Sequence, residues 1–293
     1  MRACHAAFLL LTALISCQQQ SPSNNKTKEP ESNMDKISFE SGYSEVNDLN
    51  MYYEIYGEGQ PLVLVHGGGS TIESTFGRII PQLAQNYRVI GVELQAHGHT
   101  ADRDTAMSFA QSADDVAALL QNLNIPKAHF LGFSNGANVL MEMALRHPEK
   151  INKLILASTI YNRSGTLEQF WEGFDRATID MLPPALKDAY LKANNNSEGL
   201  QRMFDRDVEL MKNFKGWTDE QMKSISSPTL VINTTKDVGT VEHATEMYRL
   251  IPDAELVILP GGHGTYIGAI ESLPDGEWQQ SYTAEIIKQF LDK

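Results

Sequence analysis

The sequence is poor in cysteine and in positive charge, and each shortage argues against a class of protein. Its 293 residues include only two cysteines, Cys4 and Cys17, so the chain beyond Cys17 has no thiol pair that could form a disulfide. A disulfide-stabilised fold is therefore not expected, and stability must come from the hydrophobic core. Lysine and arginine number 24 against 37 acidic residues, a formal net charge of −13, and no basic cluster stands out. Nucleic-acid binding is not expected, because phosphate contacts need concentrated positive charge.

The apolar run near the N-terminus, residues 6–15, is too short to cross a bilayer, since a spanning helix needs about 20 residues. It follows Arg2 and ends in Leu-Ile-Ser-Cys17, which resembles the lipobox of bacterial lipoproteins. We predict a lipoprotein signal peptide over residues 1–16 and lipidation of Cys17; the alternative is an ordinary secretory signal. The resemblance implies a lipid-anchored protein of the bacterial cell envelope, at the outer membrane, with Cys17 as its sole membrane attachment.

The segment after this cysteine has almost no apolar side chains. Residues 18–34 are dominated by Gln, Ser, Asn, Lys and Glu and contain Pro22 and Pro30. Such a composition cannot bury enough surface to offset the entropy lost on ordering. We therefore predict a flexible tether over residues 17–36.

From residue 37 onward, short apolar runs alternate with amphipathic stretches. The predicted strands are residues 50–56, 62–65, 88–94, 128–133, 153–157, 229–233 and 255–259. Most are unbroken apolar runs, which are typical of parallel strands covered on both faces by helices. The alternation predicts a doubly wound, mostly parallel α/β sheet.

The strand signal stops between residues 160 and 227, where aromatic residues and methionines accumulate. We predict that this segment is a helical cap inserted into a core formed by residues 37–159 and 228–293. Most of its aromatic residues are expected to pack within the cap, and a few to line a pocket beneath it. The sequence does not indicate which.

One serine lies between two glycines at the end of a predicted strand. Residues 132–136 read Gly-Phe-Ser134-Asn135-Gly, which is G-x-S-x-G, and a predicted helix follows directly. In a nucleophile elbow, this strand-turn-helix setting lifts the serine hydroxyl above the sheet, and the glycines allow strand and helix to approach closely.

Together with three further features, the elbow resembles the α/β-hydrolase superfamily over residues 52–293. These features are His-Gly-Gly-Gly at 66–69, Glu-Leu-Gln-Ala-His-Gly-His-Thr at 93–100, and an acid followed by a histidine late in the chain. The resemblance implies an eight-stranded-type sheet with a helical cap. It also implies a Ser134–His263–Asp237 triad, in which His263 is the base and Asp237 orients it.

The resemblance further implies an oxyanion hole, a pair of donors for the negative oxygen of the intermediate. The backbone N–H groups of Asn135 and Gly68 are the expected donors. A phosphate-binding loop is the alternative for the glycine run, but the lysine and hydroxyl residue of a P-loop are absent.

These residues imply a serine hydrolase that forms an acyl-enzyme on a small carboxylic ester, with no metal or organic cofactor. Amide, lactone or C–C bond hydrolysis and perhydrolysis use the same triad, and a non-catalytic envelope binding module is a further alternative. His97-Gly-His99-Thr-Ala-Asp102 resembles a zinc motif, but its acid is one position late, so both histidines are expected to be turn or hydrogen-bonding residues. The oligomeric state is left open.

Overall fold

Eight strands form one sheet in the part of the chain that the computed structural model describes, residues 37–273 and 282–293. The predicted signal peptide, tether and Cys17 lie outside the described residues. The strands are β1 (Phe39–Val46), β2 (Leu49–Tyr56), β3 (Gln60–Val65), β4 (Tyr87–Val92), β5 (Ala128–Phe133), β6 (Ile151–Ala157), β7 (Thr229–Lys236) and β8 (Ala254–Gly262).

The strand order is β1-β2-β4-β3-β5-β6-β7-β8. The pairs β1–β2 and β2–β4 are antiparallel, and the pairs from β4 through β8 are parallel. The mostly parallel α/β sheet predicted from the sequence is confirmed. Strand β1 is not among the predicted strands. It lies at the sheet edge with most of its side chains exposed, so its sequence forms no apolar run.

The central strands are buried on both faces, which accounts for their unbroken apolar runs. In β3, Val63 and Val65 pack in one buried cluster with α3 and α4, while Leu62 and Leu64 pack in a second cluster with α1, α2 and α10. The helices are α1 (Ile72–Phe76), α2 (Ile80–Leu83), α3 (Phe109–Asn122), α4 (Asn135–Arg146), α5 (Glu168–Asp175), α6 (Pro184–Ala193), α7 (Ser197–Lys212), α8 (Asp219–Lys223), α9 (Val241–Leu250) and α10 (Tyr282–Leu291).

Side-chain caps begin several of these helices. At α8, Thr218 and Gln221 form a capping box, in which each side chain accepts from the backbone N–H of the other residue. At α3, Ser108 accepts a hydrogen bond from the N–H of Gln111, and the Gln111 side chain donates to Asp115.

Helices α5 to α8 follow β6 and precede β7 in the sequence, and they cover the carboxyl edge of the sheet. Part of this segment packs through aromatic rings, with Trp171 stacked on Phe214 at 5.4 Å and Trp217 next to both Phe214 and Phe109. Within residues 37–273 and 282–293, no helix has the length and hydropathy needed to cross a membrane.

Candidate active site

Ser134 lies in a strained turn between β5 and α4. Its φ and ψ angles are 54° and −122°, a backbone conformation that residues with a Cβ rarely adopt. A Cβ on Gly132 would lie 2.5 Å from the carbonyl oxygen of Gly136, and one on Gly136 would lie 2.0 Å from the carbonyl oxygen of Val65. Both glycines are therefore required by the close approach of α4 to β3 and β5, as an elbow needs.

The imidazole of His263, which follows β8, is held on two sides. Its Nδ1 lies 2.6 Å from Oδ1 of Asp237, which follows β7. Its ring packs against Phe133, the residue before Ser134, with ring centroids 4.6 Å apart. The contact between acid and histidine leaves Nε2 as the ring nitrogen free to act on another group.

Asp237 is buried and accepts four hydrogen bonds. Besides His263, the donors are the N–H of Val238 at 2.8 Å and the hydroxyls of Ser158 at 2.6 Å and Thr234 at 3.0 Å. Burial by itself raises the pKa of Asp237, but the hydrogen bond and charge of His263, with the bonds from Ser158 and Val238, outweigh burial and hold that pKa below its usual value. The carboxylate is thus kept ionised beside the imidazole.

Ser158, directly after β6, is absent from the residues expected from the sequence. It has a positive φ of 51°, and its hydroxyl also lies 2.9 Å from the hydroxyl of Tyr266. Because the Ser158 proton points to Asp237, Ser158 accepts from Tyr266. A polar residue where an apolar strand ends at the carboxyl edge of the sheet is the signal that could have indicated it.

The glycine loop, His66 to Gly69, follows β3 and lies beside the elbow. The N–H groups of Gly68 and Asn135 make no hydrogen bond with any residue in the described ranges, and both residues line the same cavity. Asn135 is the first residue of α4, so its N–H has no partner within the helix. By contrast, the N–H of Gly69 donates to Oδ2 of Asp207 on α7 at 2.6 Å. Gly68 and Asn135 therefore each keep a backbone donor without a partner among the described residues.

Two buried histidines support the glycine loop. His66 Nδ1 donates to the carbonyl of Gly67 at 2.7 Å, and His66 Nε2 accepts from the N–H of Leu94 at 3.1 Å. Burial, with a smaller effect of His97, lowers the pKa of His66 to about 3, so this ring is neutral. His97 contacts the carbonyl of Gln95 through Nδ1 and Asp207 through Nε2. Burial opposes its protonation, but Asp207 and nearby groups outweigh burial and raise the pKa of His97.

His99 also forms a hydrogen bond in this turn, since its Nδ1 lies 3.0 Å from Oε2 of Glu93. His97 and His99 therefore face different carboxylates. The described ranges hold no group of three or more His, Cys, Asp or Glu side chains arranged to bind a metal ion.

A cavity of about 240 Å³ joins these groups beneath the cap. Ser134, His263 and Gly68 line it on the core side, and Asp207 lines it from the cap. The polar side chains of Asn138, Ser158 and Thr159 line a further part of it. Its apolar lining consists of Ile160, Phe170, Phe174, Leu182, Phe204, Val208, Met211 and Val238. All of these apolar residues except Val238 belong to the predicted cap, and the sequence left their orientation open.

The structure brings together four of the site residues expected from the sequence, Ser134, His263, Gly68 and Asn135, on one cavity wall. It places the fifth, Asp237, behind His263. No hydrogen bond joins the Ser134 hydroxyl to any residue in the described part of the chain, so serine and histidine share the cavity without a hydrogen bond between them. Hydrogen bonds of this kind are often long in unliganded enzymes and shorten when substrate binds.

Comparisons with known proteins agree with this architecture. Residues 60–204 match the family described as alpha/beta hydrolase fold. The pyrrolizixenacetamide deacetylase of Xenorhabdus hominickii is 25% identical over 247 residues, which cover 76% of this chain and 91% of that protein. The 2-hydroxy-6-oxo-6-(2'-aminophenyl)hexa-2,4-dienoic acid hydrolase of Metapseudomonas resinovorans is 27% identical over 236 residues, 72% of this chain and 80% of that protein.

Among solved structures, a serine hydrolase involved in carbazole degradation superimposes with a TM-score of 0.70 at 22% identity. The superposition covers 87% of this chain and 99% of the other. The chain therefore has the α/β-hydrolase fold, and it is an enzyme of the hydrolase class.

Proposed function

We propose that the protein is a carboxylic ester hydrolase with Ser134 as nucleophile, His263 as general base and acid, and Asp237 as the residue that orients the imidazole. One observation carries this proposal. Ser134 and His263 line a single cavity in which two adjacent N–H groups, of Gly68 and Asn135, have no partner among the described residues. Unused backbone donors beside a strained serine fit an oxyanion hole.

In this mechanism the Ser134 hydroxyl attacks the ester carbonyl while His263 Nε2 takes its proton. The negative oxygen of the tetrahedral intermediate is met by the N–H groups of Gly68 and Asn135. The intermediate collapses to an acyl-enzyme, and His263 returns the proton to the departing alcohol. Water then attacks the acyl-enzyme while His263 takes its proton. When the second tetrahedral intermediate collapses, His263 returns that proton to the Ser134 oxygen, and the carboxylic acid leaves. Asp237 accepts from Nδ1 throughout and stabilises the charged imidazole.

The cavity favours a small apolar acyl group. Its volume of about 240 Å³ exceeds the roughly 150 Å³ of an apolar cavity that binds benzene. Because the wall opposite the glycine loop is formed by phenylalanine and aliphatic side chains, a short aliphatic or single-ring acyl group would fill it. Long unbranched chains would not fit within this volume.

A panel of p-nitrophenyl esters from acetate to dodecanoate tests the reaction and the size limit together. We expect turnover of the short members, a decline toward the long ones, and loss of activity in Ser134→Ala. A fluorophosphonate probe should label the wild-type protein and not Ser134→Ala. If folded wild-type protein is not labelled and hydrolyses nothing, a non-catalytic binding module becomes the better description.

The Xenorhabdus relative, named as a deacetylase, favours a second candidate, removal of an acetyl group from an amide. The same triad serves amides, lactones and C–C bonds, so the fold does not choose among them. Parallel panels of acetamides, lactones and vinylogous diketones, compared by kcat/KM with the esters, separate these reactions. Turnover of acetamides well above that of esters would replace the ester assignment.

We also propose that the protein is a lipoprotein of the bacterial cell envelope, lipidated at Cys17 after removal of residues 1–16. Support comes from the sequence Leu-Ile-Ser-Cys17 after a short apolar run, and these residues lie outside the described part of the chain. Metabolic labelling with radioactive palmitate should mark the wild-type protein and not Cys17→Ala. Unlabelled wild-type protein, released in soluble form, would indicate an ordinary secretory signal.

A further inference from the structure

Asp207 lies on α7 in the cap, yet its carboxylate reaches the glycine loop of the core. Its Oδ2 lies 2.6 Å from the backbone nitrogen of Gly69 and 3.1 Å from Nε2 of His97. A Cβ placed on Gly68 would lie 3.3 Å from the same oxygen. One cap side chain therefore bonds Gly69 and lies next to Gly68, the expected oxyanion donor.

The hydrogen-bond pattern around His97 favours its protonated form. Its Nδ1 lies 2.9 Å from the carbonyl oxygen of Gln95, which can only accept, so Nδ1 carries a proton. Its Nε2 faces Oδ2 of Asp207, which as a carboxylate also only accepts. The Gly69 N–H is closer to Asp207 than to Nε2, at 2.6 Å against 3.3 Å, so the carboxylate is its main acceptor. This arrangement and the raised pKa of His97 favour an imidazolium paired with Asp207.

We propose that Asp207 and His97 are positioning residues for the oxyanion donors, and that their ion pair couples the glycine loop to the docked cap. This inference rests on the proposed function. By fixing the N–H of Gly69, which has a positive φ of 69°, the pair sets the orientation of the loop from which Gly68 donates. Undocking of α7 would withdraw Asp207 and release the loop.

The pair also balances charge next to the nucleophile. Oδ1 of Asp207 is shielded from solvent and has no partner among the described residues, so its charge is compensated mainly through Oδ2. The other groups that face His97 are the carboxylate of Glu93 and the neutral ring of His66, 4.9 Å away. Loss of the His97 proton would leave a nitrogen lone pair against a carboxylate and an uncompensated negative charge beside the oxyanion.

Activity should therefore fall at alkaline pH, as His97 loses its proton. The raised pKa of His97 places this alkaline limb above the ordinary histidine value of 6.5.

Asp207→Ala, Asp207→Asn and the neighbouring control Arg206→Gln test this inference. Arg206 also ties α7 to the core, through Asp102 at 3.1 Å and the carbonyl of Arg103 at 2.9 Å, but does not contact the glycine loop. We expect Asp207→Ala to lower kcat roughly 10- to 100-fold with KM within about threefold, and Arg206→Gln to leave both within about threefold. Asp207→Asn retains an acceptor for Gly69, so it should recover part of kcat while losing the alkaline limb.

A second measurement needs no substrate: NMR titration of the His97 imidazole in the wild type and in Asp207→Asn. The pKa should lie above 6.5 in the wild type and fall in the variant. Equal losses of kcat in Asp207→Ala and Arg206→Gln would mean that Asp207 only holds the cap on the core. A His97 titration that does not change in Asp207→Asn would show that the two residues form no ion pair. Wild-type protein that is inactive on every panel and unlabelled by the probe would overturn the proposed function instead, while the titration still decides whether the ion pair exists.

Discussion

The rings of His66 and His97 lie 4.9 Å apart, and their pKa values move in opposite directions. Both are buried, so exposure does not distinguish them. His66 has one donor and one acceptor as neighbours, which suits a neutral imidazole, whereas the nearest neighbours of His97 are two acceptors, which favour an imidazolium. The neighbours therefore decide the charge of each ring, and both rings support the glycine loop.

His66 should make the fold sensitive to acid. In the unfolded chain it binds a proton below pH 6.5, but in the folded protein only near pH 3. The unfolded state thus binds more protons between these values, and this residue lowers the free energy of unfolding by about 1.4 kcal/mol per pH unit as pH falls. Urea unfolding at pH 7, 6 and 5 should show a shallower decline in His66→Gln than in the wild type. Parallel declines would contradict the assignment.

The strained backbone at Ser134 should lower the stability of the fold, while its side chain is required for activity. Ser134→Ala is expected to lower kcat on the order of a thousandfold or more. Ser134→Gly should be as inactive but more stable than Ser134→Ala by roughly 1 kcal/mol, because glycine tolerates the positive φ of 54°. Thermal unfolding of the two variants, with ester turnover, checks both statements. Equal stabilities would mean that the elbow stores no measurable strain.

Substitution by alanine should affect stability at Gly136 but activity at Gly68. The added Cβ in Gly136→Ala would meet the backbone oxygen of Val65 at 2.0 Å, so we expect a loss of about 3 kcal/mol or more in the free energy of unfolding. In Gly68→Ala it would meet the Asn135 side-chain amide at 2.8 Å, which can move.

Gly68→Ala should therefore fold while its kcat falls roughly 10- to 100-fold. The added Cβ would displace the Asn135 side-chain amide and the Asp207 carboxylate, and this displacement would disturb the oxyanion donors. Urea unfolding and ester kinetics on the same preparations separate the two outcomes. A Gly68→Ala variant with wild-type kcat would show that the loop accepts a Cβ without displacing the oxyanion donors.

Ser158 should act on catalysis through Asp237. Ser158→Ala removes one of four donors to that carboxylate, so its pKa should rise and kcat should fall roughly 3- to 10-fold with little change in KM. Tyr266→Phe, which acts one hydrogen bond further away, should have a smaller effect. For comparison, Asp237→Asn should cost on the order of ten-thousandfold. A larger effect of Tyr266→Phe than of Ser158→Ala would contradict this order of influence.

Local signals made the elbow and the sheet predictable. Unbroken apolar runs indicated β3 and β5, because strands covered on both faces need no polar alternation. Gly132 and Gly136 around Ser134 indicated the turn, because only glycine fits where helix and strands meet this closely. Strand β1 escaped detection because an exposed edge strand carries polar residues that resemble a loop.

The contacts of Asp207 had no comparable local signal. Asp207 is one of several acidic residues on the amphipathic helix α7, and nothing in its own segment distinguishes it. Its partners Gly69 and His97 lie 138 and 110 residues away in sequence. Such contacts depend on how the cap docks, which periodicity does not encode.

The sequence by itself determined most elements of the sheet and indicated the candidate catalytic side chains, because strand burial, turn geometry and nucleophile type are properties of short segments. Only the tertiary structure decided in which direction the pKa of each buried histidine shifts, which glycine N–H groups are free and which cap side chains line the cavity. Each of these depends on the donors and acceptors that folding brings from distant segments, and the pKa of a buried group responds to those neighbours rather than to its own place in the chain.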